Sequence, residues 1–408
     1  MNIKFQRAVD RLAGVPICAL LSLVERFRLA LGFAAPTAPP RRILVILLSE
    51  MGSLVLAHPM FAQLKKQYPD ASLHILMFRK NREVLDLLGV IPPENVLTIN
   101  DRALSEFATD SLNVIRKMRA LKFDVVIDCE LFSRVSSIFS YLSGAPVRVG
   151  FHPHTQEGLY RGSFINRPVM YNPYRHLSQQ LLTMVAAIAS HSVPTAKAPA
   201  AQVNNPPLLN FPAHELQQVA EQLYADFPAL ADKKLVLVYP SGGILPIRAW
   251  PPENYLQLCN DLVCDGYAVG VIGMKEDQPL GQRVVEHCRS PYCVNLAGYT
   301  KSVRHLLAIF NHASLLITND GGPGQFAALT PIPSLIFFGP ETPALYSSLS
   351  SNAHYFYSSL SCSPCLTAYN HRSSPCDGDN QCLKLITPQQ VLAKAREVLQ
   401  AGAPNKPA

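Results

Sequence analysis

Two stretches of the chain place polar side chains and glycines where an apolar run ends. Residues 315–340, LLITNDGGPGQFAALTPIPSLIFFGP, give an apolar run, an acid with several glycines, a short helical stretch and a second apolar run. Residues 41–78 have the same order, with SEMG after the first run. A turn of this kind at the carboxyl end of a parallel strand exposes backbone N–H groups and a helix N-terminus, which favour anions. The pattern therefore indicates a ligand that bears phosphate.

Alternating strands and helices are predicted on both sides of these turns. The predicted strands are continuously apolar, which is typical of parallel sheets covered on both faces. They cover residues 43–48, 73–78, 95–99, 125–129, 147–151, 235–239, 268–272, 294–296, 315–318 and 334–338. A Pro-, Ala- and Asn-rich stretch interrupts the alternation. We expect an α/β protein with a basic N-terminal segment and linker (1–40), a Rossmann-like domain (41–195), a linker (196–212) and a second Rossmann-like domain (213–408).

Four landmarks follow one another in the chain. They are SEMGSLVLAHP, YPSGGILPIRAWPPENYLQL, LITNDGGPGQFAAL and FGPETPALY. In this order the chain resembles glycosyltransferase family 9, the heptosyltransferases of bacterial lipopolysaccharide synthesis, over about residues 41–400. The resemblance implies the GT-B fold, two Rossmann-like domains whose parallel sheets face a central cleft. It also implies inverting transfer of a sugar, a heptose, from an ADP-heptose-like donor to a lipopolysaccharide core or lipid A-linked acceptor, with no metal cofactor required.

The first turn departs from the family pattern. The family has an aspartate directly after the glycine, proposed as the base that deprotonates the acceptor, and this chain has Ser53 after Gly52. A serine of ordinary pKa is not a base at pH 7, so Glu50 is the candidate for that role. A solvated turn residue is the alternative for Glu50. Glu50 and Ser53 are therefore the predicted catalytic residues, and Gly52 is expected to bring the backbone close to the acceptor.

The donor site is expected in the second domain. By resemblance, Arg248 before the Trp-Pro pair holds the donor diphosphate, and its planar fork suits phosphate. Trp250 is expected to be a hydrophobic lid rather than a stacking partner. The family's serine and histidine in the third landmark are replaced by Gly321 and Gln325. The predicted donor-binding residues are Ser241, Gly242, Arg248, Asn319, Asp320, Gly321, Gly322, Gln325, Glu341 and Thr342.

Polar loops between the domains supply candidates for the acceptor site. A basic and aromatic group there suits an anionic sugar acceptor. The candidates are Gly52, His154, Glu157, Tyr160, Arg161, Arg175 and His176. For each single side chain, simple exposure to solvent is the alternative.

Four of the ten cysteines form one cluster in the sequence. Cys362, Cys365, Cys376 and Cys382 have the spacing C-x2-C-x10-C-x5-C inside a loop, residues 360–383. This spacing fits one tetrahedral thiolate site, most simply structural zinc, with His371 as a substitute ligand. Disulfides or unligated thiols are the alternatives. The six scattered cysteines are expected to be buried thiols, as in a reducing compartment.

Charge is concentrated at the N-terminus. Residues 1–42 carry a net +5 of the total +7, and only 16% of all residues are charged. Nucleic acid is therefore not expected as a partner, whereas an anionic membrane surface is. Residues 5–33 are predicted to form a basic amphipathic helix on the cytoplasmic face of the inner membrane. Its apolar side chains would be Leu20, Leu21, Leu23, Val24, Phe27 and Leu31. A helix packed on the body of the protein is the alternative.

Two functions remain open from the sequence. The first is the sugar transfer described above. The second is a catalytically impaired family member that binds nucleotide sugar or core lipid as a scaffold. Ser53, Gly321 and Gln325 favour the second function, and the presence of Arg248 and Asp320 favours the first.

Overall fold

The computed structural model describes residues 3–31, 39–48, 50–131, 133–152, 160–190, 197, 199–370 and 372–401. These residues divide into two compact units. The first consists of residues up to Asn204 together with Ala368–Arg372, and the second of Asn205–Thr367 and the remainder from Ser373. The division after Asn204 lies within the predicted linker 196–212. The N-terminal helices belong to the first unit rather than forming a separate segment.

A six-stranded parallel sheet forms the centre of the first unit. Its strands are β1 (Arg42–Ile46), β2 (Ser72–Phe78), β3 (Val96–Ile99), β4 (Val125–Asp128), β5 (Val147–Phe151) and β6 (Arg167–Val169). Their order in the sheet is β3-β2-β1-β4-β5-β6. The helices are α1 (Ile3–Leu12), α2 (Gly14–Ala30), α3 (Met51–Gln67), α4 (Arg82–Leu88), α5 (Leu104–Leu121), α6 (Arg134–Leu142) and α7 (Leu177–Ala187). The sheet is buried because helices cover it.

The second unit has the same strand order. Its strands are β7 (Leu235–Tyr239), β8 (Ala268–Gly273), β9 (Cys293–Ala297), β10 (Leu315–Asn319), β11 (Ser334–Phe338) and β12 (Ala353–Tyr357), arranged β12-β11-β10-β7-β8-β9. The helices are α8 (Ala213–Asp226), α9 (Pro252–Cys264), α10 (Gln278–Cys288), α11 (Val303–His312), α12 (Gly322–Phe326), α13 (Pro343–Tyr346), α14 (Gln381–Lys384) and α15 (Pro388–Ala401). Read along the chain, each unit has the Rossmann order 3-2-1-4-5-6. The predicted α/β fold with two Rossmann-like units is confirmed.

The ten predicted strands are all present, and two strands were not predicted. β6 is three residues long and contains Pro168, and β12 mixes half-buried and exposed residues. Both lie at the edge of a sheet, where the continuous apolar pattern of an interior strand is not required. Helices α7 and α8 were also not predicted.

The N-terminal segment differs from the predicted single helix of residues 5–33, because it forms two helices, α1 and α2. One face of α2 packs on the first unit: Cys18 contacts Tyr141, Phe164 and Ile165. A Cβ at Gly14 would lie 2.8 Å from the Cβ of Arg134 on α6, so glycine permits the close approach of the two helices. This packing agrees with the alternative of a helix on the body of the protein.

Several of the apolar side chains predicted for a membrane face are nevertheless exposed. Their exposed fractions are 61% for Leu20, 50% for Leu23, 41% for Val24, 64% for Phe27 and 76% for Leu31. Leu21, in contrast, is half-buried against the Cys18 cluster. Among the described residues, none of the helices has both the length and the apolar character needed to cross a bilayer.

Candidate functional site

Each sheet has a switch point, where the strand order reverses. In the first sheet it lies between β1 and β4, with Ile46 beside Asp128. In the second it lies between β7 and β10, with Tyr239 beside Thr318. Ligands of open parallel sheets bind beyond the carboxyl ends of the strands at such a point, because the helices that follow the two strands lie on opposite faces of the sheet. Both glycine-containing turns lie at these positions.

Asn319, at the end of β10, joins the two strands at the second switch point. Its Oδ1 accepts hydrogen bonds from the Trp250 backbone N–H at 2.8 Å and the Tyr255 hydroxyl at 2.9 Å. Its Nδ2 donates to the carbonyl oxygens of Tyr239 and Ser241. The residue is fully buried. Although predicted as a donor contact, Asn319 uses its side chain to hold the polypeptide around the site.

Arg248 lies at the same switch point with its guanidinium largely buried. Nη1 is 3.5 Å from Oδ2 of Asp320, and both side chains are 7% exposed. The Nε atom of Arg248 is buried and has no hydrogen-bond partner among the described residues. An unsatisfied buried donor is costly, and a bound acceptor group is one way in which proteins satisfy it. Arg248 and Asp320 are thus brought together, as the donor-site prediction requires.

Glycines keep the turns of this site open. At Gly242 a Cβ would lie 2.8 Å from both the Cα and the carbonyl oxygen of Pro246, so no larger residue fits. Ser241 Oγ accepts a hydrogen bond from the N–H of Gly243 and shapes the turn. Gly321 and Gly322 lead into α12, and a Cβ at Gly321 would lie 4.0 Å from the carbonyl oxygen of Asn319. The predicted glycines therefore lie around Arg248 and Asp320.

The remaining predicted donor residues, Gln325, Glu341 and Thr342, are buried as well. Gln325 donates from Nε2 to the carbonyl oxygen of Tyr346, and its Oε1 is buried without a partner among the described residues. Thr342 caps α13 by accepting from the N–H of Ala344. Glu341 is only 1% exposed. Gln325 and Thr342 therefore hold backbone groups of the segment 342–346.

Trp250 is fully buried, as expected for a lid. Its indole N–H donates to the carbonyl oxygen of Ile386, and its ring contacts Tyr255 and Phe337 at centroid distances of 4.9 and 4.7 Å. It packs with the core of the second unit.

Three carboxylates lie near the first switch point. Asp128 is completely buried, and Glu130 is 5% exposed and accepts from the Leu48 N–H at 2.7 Å. The side chain of Glu50 is 33% exposed. Since a base must reach the hydroxyl that it deprotonates, Glu50 is the carboxylate of the three that a substrate can approach. Gly52 is buried and Ser53 half-buried in the first turn of α3, directly after Glu50.

Glu50 has a partner from a distant part of the chain. Nη1 of Arg372 donates to Oε1 of Glu50 at 2.8 Å. Arg372 belongs to the short segment Ala368–Arg372, which groups with the first unit. Sequence reasoning did not identify Arg372, because 322 positions separate the two residues.

Arg161, predicted as an acceptor contact, lies inside the first unit. It is 2% exposed and forms a buried ion pair with Asp128. Its Nε also donates to the carbonyl oxygen of Ser133. This guanidinium therefore holds the loop after β5 against β4 instead of facing solvent.

The other predicted acceptor residues are scattered. Tyr160 is 37% exposed, and its hydroxyl lies 3.4 Å from Ser22 Oγ. Arg175 is exposed, and His176 caps α7 by accepting from the Ser178 N–H. His154 and Glu157 lie outside the described residues.

More than half of the chain matches a known family model. The model of glycosyltransferase family 9 (heptosyltransferase) covers residues 111–373. The chain belongs to glycosyltransferase family 9. It is therefore a glycosyltransferase, and its two Rossmann-like units are those of the GT-B fold.

Individual members of family 9 resemble the chain along most of its length. Lipopolysaccharide heptosyltransferase 2 of Salmonella typhimurium is 23% identical over 88% of this chain and 98% of its own. The structure of E. coli ADP-heptose lps heptosyltransferase II matches with a TM-score of 0.67 and 20% identity, covering 88% of this chain and 99% of that one. The E. coli heptosyltransferase WaaC with ADP-2-deoxy-2-fluoro heptose matches with a TM-score of 0.60 and 16% identity over 87% and 99%. At these identities the structural matches establish the fold.

Two residues that this family 9 chain buries at the first switch point were missed from the sequence. Burial, together with the negative charge of Glu130, raises the pKa of Asp128 to about 6, against the lowering effect of Arg161. Glu130 fixes the end of β1 through Leu48. The predicted strand 125–129 and the switch-point rule together point to both residues, since they end the strand beside β1.

The four clustered cysteines lie next to the donor-side turn. Ser363 Oγ donates to the carbonyl oxygen of Gly339, and the N–H groups of Cys365 and Leu366 donate to that of Pro340. Burial raises the pKa of Cys382, and the charges of Cys365, Cys362 and Cys376 raise it further, so these three cysteines lie within electrostatic range of Cys382.

The geometry of a metal site is not formed, however. All ten cysteines are free thiols. No three His, Cys, Asp or Glu side chains within the described ranges are placed to hold a metal ion, and His371 is outside those ranges. The zinc site stays a prediction. Of the six scattered thiols, Cys264 is exposed rather than buried.

Proposed function

We propose that this protein transfers a heptose, with inversion, from an ADP-heptose-like donor to a lipopolysaccharide core or lipid A-linked acceptor. Membership of family 9 and the names of its relatives support the sugar and the acceptor class. The observation that carries the proposal is the buried Arg248 with its unsatisfied Nε at the second switch point, beside Asp320 and the glycine turns. A diphosphate oxygen at Nε would satisfy that donor.

In this mechanism Glu50 is the general base. It takes the proton of the acceptor hydroxyl while the oxygen attacks the anomeric carbon, and the bond from that carbon to the diphosphate oxygen breaks. The electron pair leaves with the diphosphate, whose charge Arg248 and backbone N–H groups of the glycine turns stabilise. Attack from the face opposite the leaving group inverts the anomeric centre. The scheme requires no divalent cation, because these groups supply the positive charge.

Transfer can be measured by mass spectrometry with ADP-heptose and a lipid A-linked acceptor that carries the first core sugar. We expect the acceptor to gain the mass of one heptose. Glu50→Gln keeps the size of the side chain and removes the base, so the rate should fall about 10²- to 10⁴-fold. Ser53→Ala in the same turn is the comparison variant, and its rate should fall less, because a serine of ordinary pKa is not a base at pH 7.

The outcomes separate the candidate functions. Full activity in Glu50→Gln together with loss in Ser53→Ala would show that Glu50 is not the base. If the wild-type protein binds ADP-heptose and transfers nothing, the scaffold function, to which Ser53, Gly321 and Gln325 point, replaces the transferase proposal.

We further infer that α2 docks the enzyme on the cytoplasmic face of the inner membrane, as a peripheral protein. Its buried residues Gly14, Cys18, Ser22 and Glu25 share one face. At about 100° per residue, exposed Leu20, Leu23, Val24, Phe27 and Leu31 lie on the opposite face. Arg26 and Arg28 are exposed on the same helix, so the surface combines apolar and cationic groups. This combination suits an anionic phospholipid bilayer.

Co-sedimentation with vesicles tests this surface. The protein should bind phosphatidylglycerol-containing vesicles more tightly than phosphatidylcholine vesicles, and binding should weaken as salt rises. Leu23→Ser combined with Phe27→Ser should reduce binding to both. Leu112→Ser, on the exposed side of α5, is the control for loss of an exposed apolar group. Equal binding by the α2 double variant and the wild type would contradict the inference.

A further inference from the structure

Arg248 lies in a segment of the chain whose far end is anchored in the second unit. It is the last residue of a short 3-10 helix, Pro246–Arg248. Two residues further on, the backbone N–H of Trp250 donates to Oδ1 of Asn319, and its indole N–H donates to the carbonyl oxygen of Ile386. Since Trp250 is fully buried, the chain after Arg248 is fixed to the core of this unit.

A further hydrogen bond holds the segment directly before Arg248. Nδ2 of Asn380 donates to the carbonyl oxygen of Ile247 at 2.7 Å. Asn380 and Ile247 are 133 positions apart in the chain, and both are half-buried. The carbonyl group of Ile247 and the N–H of Arg248 belong to one planar peptide unit. The side-chain amide of Asn380 therefore fixes the peptide from which the Arg248 side chain starts.

Asn380 is itself attached to the core of the second unit. It directly precedes α14, and its carbonyl oxygen accepts from the N–H groups of Leu383 and Lys384, both at 2.9 Å. Leu383 is fully buried and belongs to the same cluster of buried side chains as Trp250. The amide that holds Ile247 thus extends from a helix whose position the core determines.

The position of the backbone matters for Arg248 because its guanidinium lies at the end of a long side chain. Nε has no hydrogen-bond partner in the described part of the chain, and Nη1 lies 3.5 Å from Oδ2 of Asp320. Ordering an arginine side chain costs conformational entropy, which opposes ligand binding. A backbone that is already held in place leaves fewer positions for the guanidinium and reduces this cost.

Asn380 belongs to the cysteine loop, residues 360–383, which also contacts another turn of the donor side. The N–H groups of Cys365 and Leu366 donate to the carbonyl oxygen of Pro340. The thiol of Cys376 donates to Oδ1 of Asn380, with 3.7 Å between the two atoms. The loop therefore contacts the turn after β11 through one part and the segment of Arg248 through another.

We propose that Asn380 is a positioning residue for donor binding, because its hydrogen bond to Ile247 holds the backbone that presents Nε of Arg248 to the diphosphate. This inference rests on the proposed transferase function. Asn380 acts through Arg248 and does not itself contact the donor. The cysteine loop thereby contributes to nucleotide affinity through the peptide next to the phosphate-binding arginine.

Isothermal titration calorimetry of the full-length protein with ADP tests the proposal in a double-mutant cycle. Asn380→Leu keeps the size of the side chain and removes Nδ2, so the dissociation constant of ADP should rise about three- to tenfold. Asn380→Ala, which adds no bulk, should have the same effect. Arg248→Met removes the group through which Asn380 acts. Asn380→Leu combined with Arg248→Met should therefore bind ADP as weakly as Arg248→Met alone.

Asn95→Leu is the matched control. Asn95 is a half-buried asparagine of the first unit, and its Nδ2 donates to the carbonyl oxygen of Leu73 at 3.1 Å. This variant should bind ADP like the wild type. Thermal unfolding of each variant shows whether it folds.

Hydrogen–deuterium exchange in the absence of nucleotide gives a readout that does not depend on ADP. The backbone amides of residues 247–250 should exchange faster in Asn380→Leu than in the wild type, because the segment has lost one of its anchors. In Asn95→Leu their exchange should equal that of the wild type.

Two calorimetric results would overturn the proposal. One is an unchanged ADP dissociation constant in both Asn380 variants. The other is an equal weakening by Asn380→Leu with and without Arg248→Met, since Asn380 would then act independently of Arg248. If the wild type binds no ADP, the proposed transferase function fails separately. Exchange then decides the positioning role: faster exchange of residues 247–250 in Asn380→Leu supports it, and unchanged exchange overturns it.

Discussion

At the scale of single residues, the structure separates side chains that bind from side chains that support. Asn319 and Asp320 are neighbours in the third landmark. The side-chain amide of Asn319 makes four hydrogen bonds within the protein. Asp320 faces Arg248. Arg161 and Arg248 are both buried arginines. Arg161 has accepting partners for Nε, Nη1 and Nη2, whereas Nε of Arg248 has none in the described part of the chain. Among the arginines predicted to bind donor or acceptor, the unsatisfied Nε thus distinguishes the buried Arg248 from the buried Arg161.

Replacing Arg248 should therefore weaken nucleotide binding. Arg248→Met keeps the length of the side chain and removes its hydrogen bonds, so the dissociation constant of ADP should rise about 10- to 100-fold. Isothermal titration calorimetry measures it. Arg283→Met, at an arginine whose side chain is 54% exposed, is the control and should bind ADP like the wild type. Equal affinities of the Arg248 variant and the wild type would remove Arg248 from the donor site.

At the scale of elements, α2 is attached to the first unit by polar contacts as well as by Cys18. Arg148 on β5 pairs with Glu25 of α2, and the two side chains are 2% and 9% exposed. Asp10 of α1 accepts from the backbone N–H of Arg134 at 2.8 Å and from its guanidinium. The two N-terminal helices are thereby fixed to the sheet that carries Glu50.

Breaking the Glu25–Arg148 pair from one side should destabilise the first unit. Glu25→Ala leaves the guanidinium of Arg148 buried without its carboxylate, which costs about 3–5 kcal/mol. The double variant Glu25→Leu with Arg148→Met should be more stable than Glu25→Ala, because no buried charge remains. Urea unfolding of the single and double variants measures the difference. A single variant as stable as the wild type would mean that the pair does not anchor α2.

The cysteine loop gives a second prediction at this scale. If the four neighbouring thiols hold structural zinc, the protein purified under reducing conditions contains about one zinc ion per chain. Cys382→Ser should lower that content and the thermal stability, whereas Cys264→Ser, at an exposed thiol elsewhere, should change neither. Elemental analysis measures the metal. If the denatured wild type has ten reactive thiols and contains no metal, the four cysteines of the loop are free and the zinc prediction is wrong.

At the scale of the whole molecule, burial of histidines makes stability depend on pH. Burial lowers the pKa of four histidines spread over both units, His58, His74, His305 and His354. Below pH 6.5 the unfolded chain binds more protons at these sites than the folded protein does, so the free energy of unfolding falls as pH falls. Asp128, with its pKa raised to about 6, has the opposite effect between about pH 4 and 6.

His74 allows this effect to be isolated. Its ring packs edge-on against Phe123 at 5.1 Å, and Arg42 lowers its pKa further. His74→Phe keeps an aromatic ring and removes the titrating group. The melting temperature of this variant should therefore decrease less between pH 7 and pH 5 than that of the wild type, as measured by differential scanning calorimetry. An equal decrease of the melting temperature in the variant and the wild type would contradict the prediction.

Both sheets and their turns can be predicted from local features of the sequence. Continuous apolar runs such as Leu315–Asn319 must be covered on both faces, and the glycines of the turns are needed for close backbone approach, so both features can be read locally. The four landmarks, in the order that the family has them, then indicated glycosyltransferase family 9. The edge strands β6 and β12 were not predicted, because a strand at the edge of a sheet does not need a continuous apolar run.

Which polar residues lie together in one site cannot be predicted from the sequence and is seen in the folded protein alone. Glu50 and Arg372 are 322 positions apart, and Asp128 and Arg161 are 33 apart. Neither pairing has a local signal, because a charged side chain has the same sequence pattern whether it is solvated or neutralised by a distant partner. Burial and pairing result from the packing of whole elements. For this reason the sequence predicted Glu50 as the carboxylate of the first turn but did not predict Arg372 as its partner.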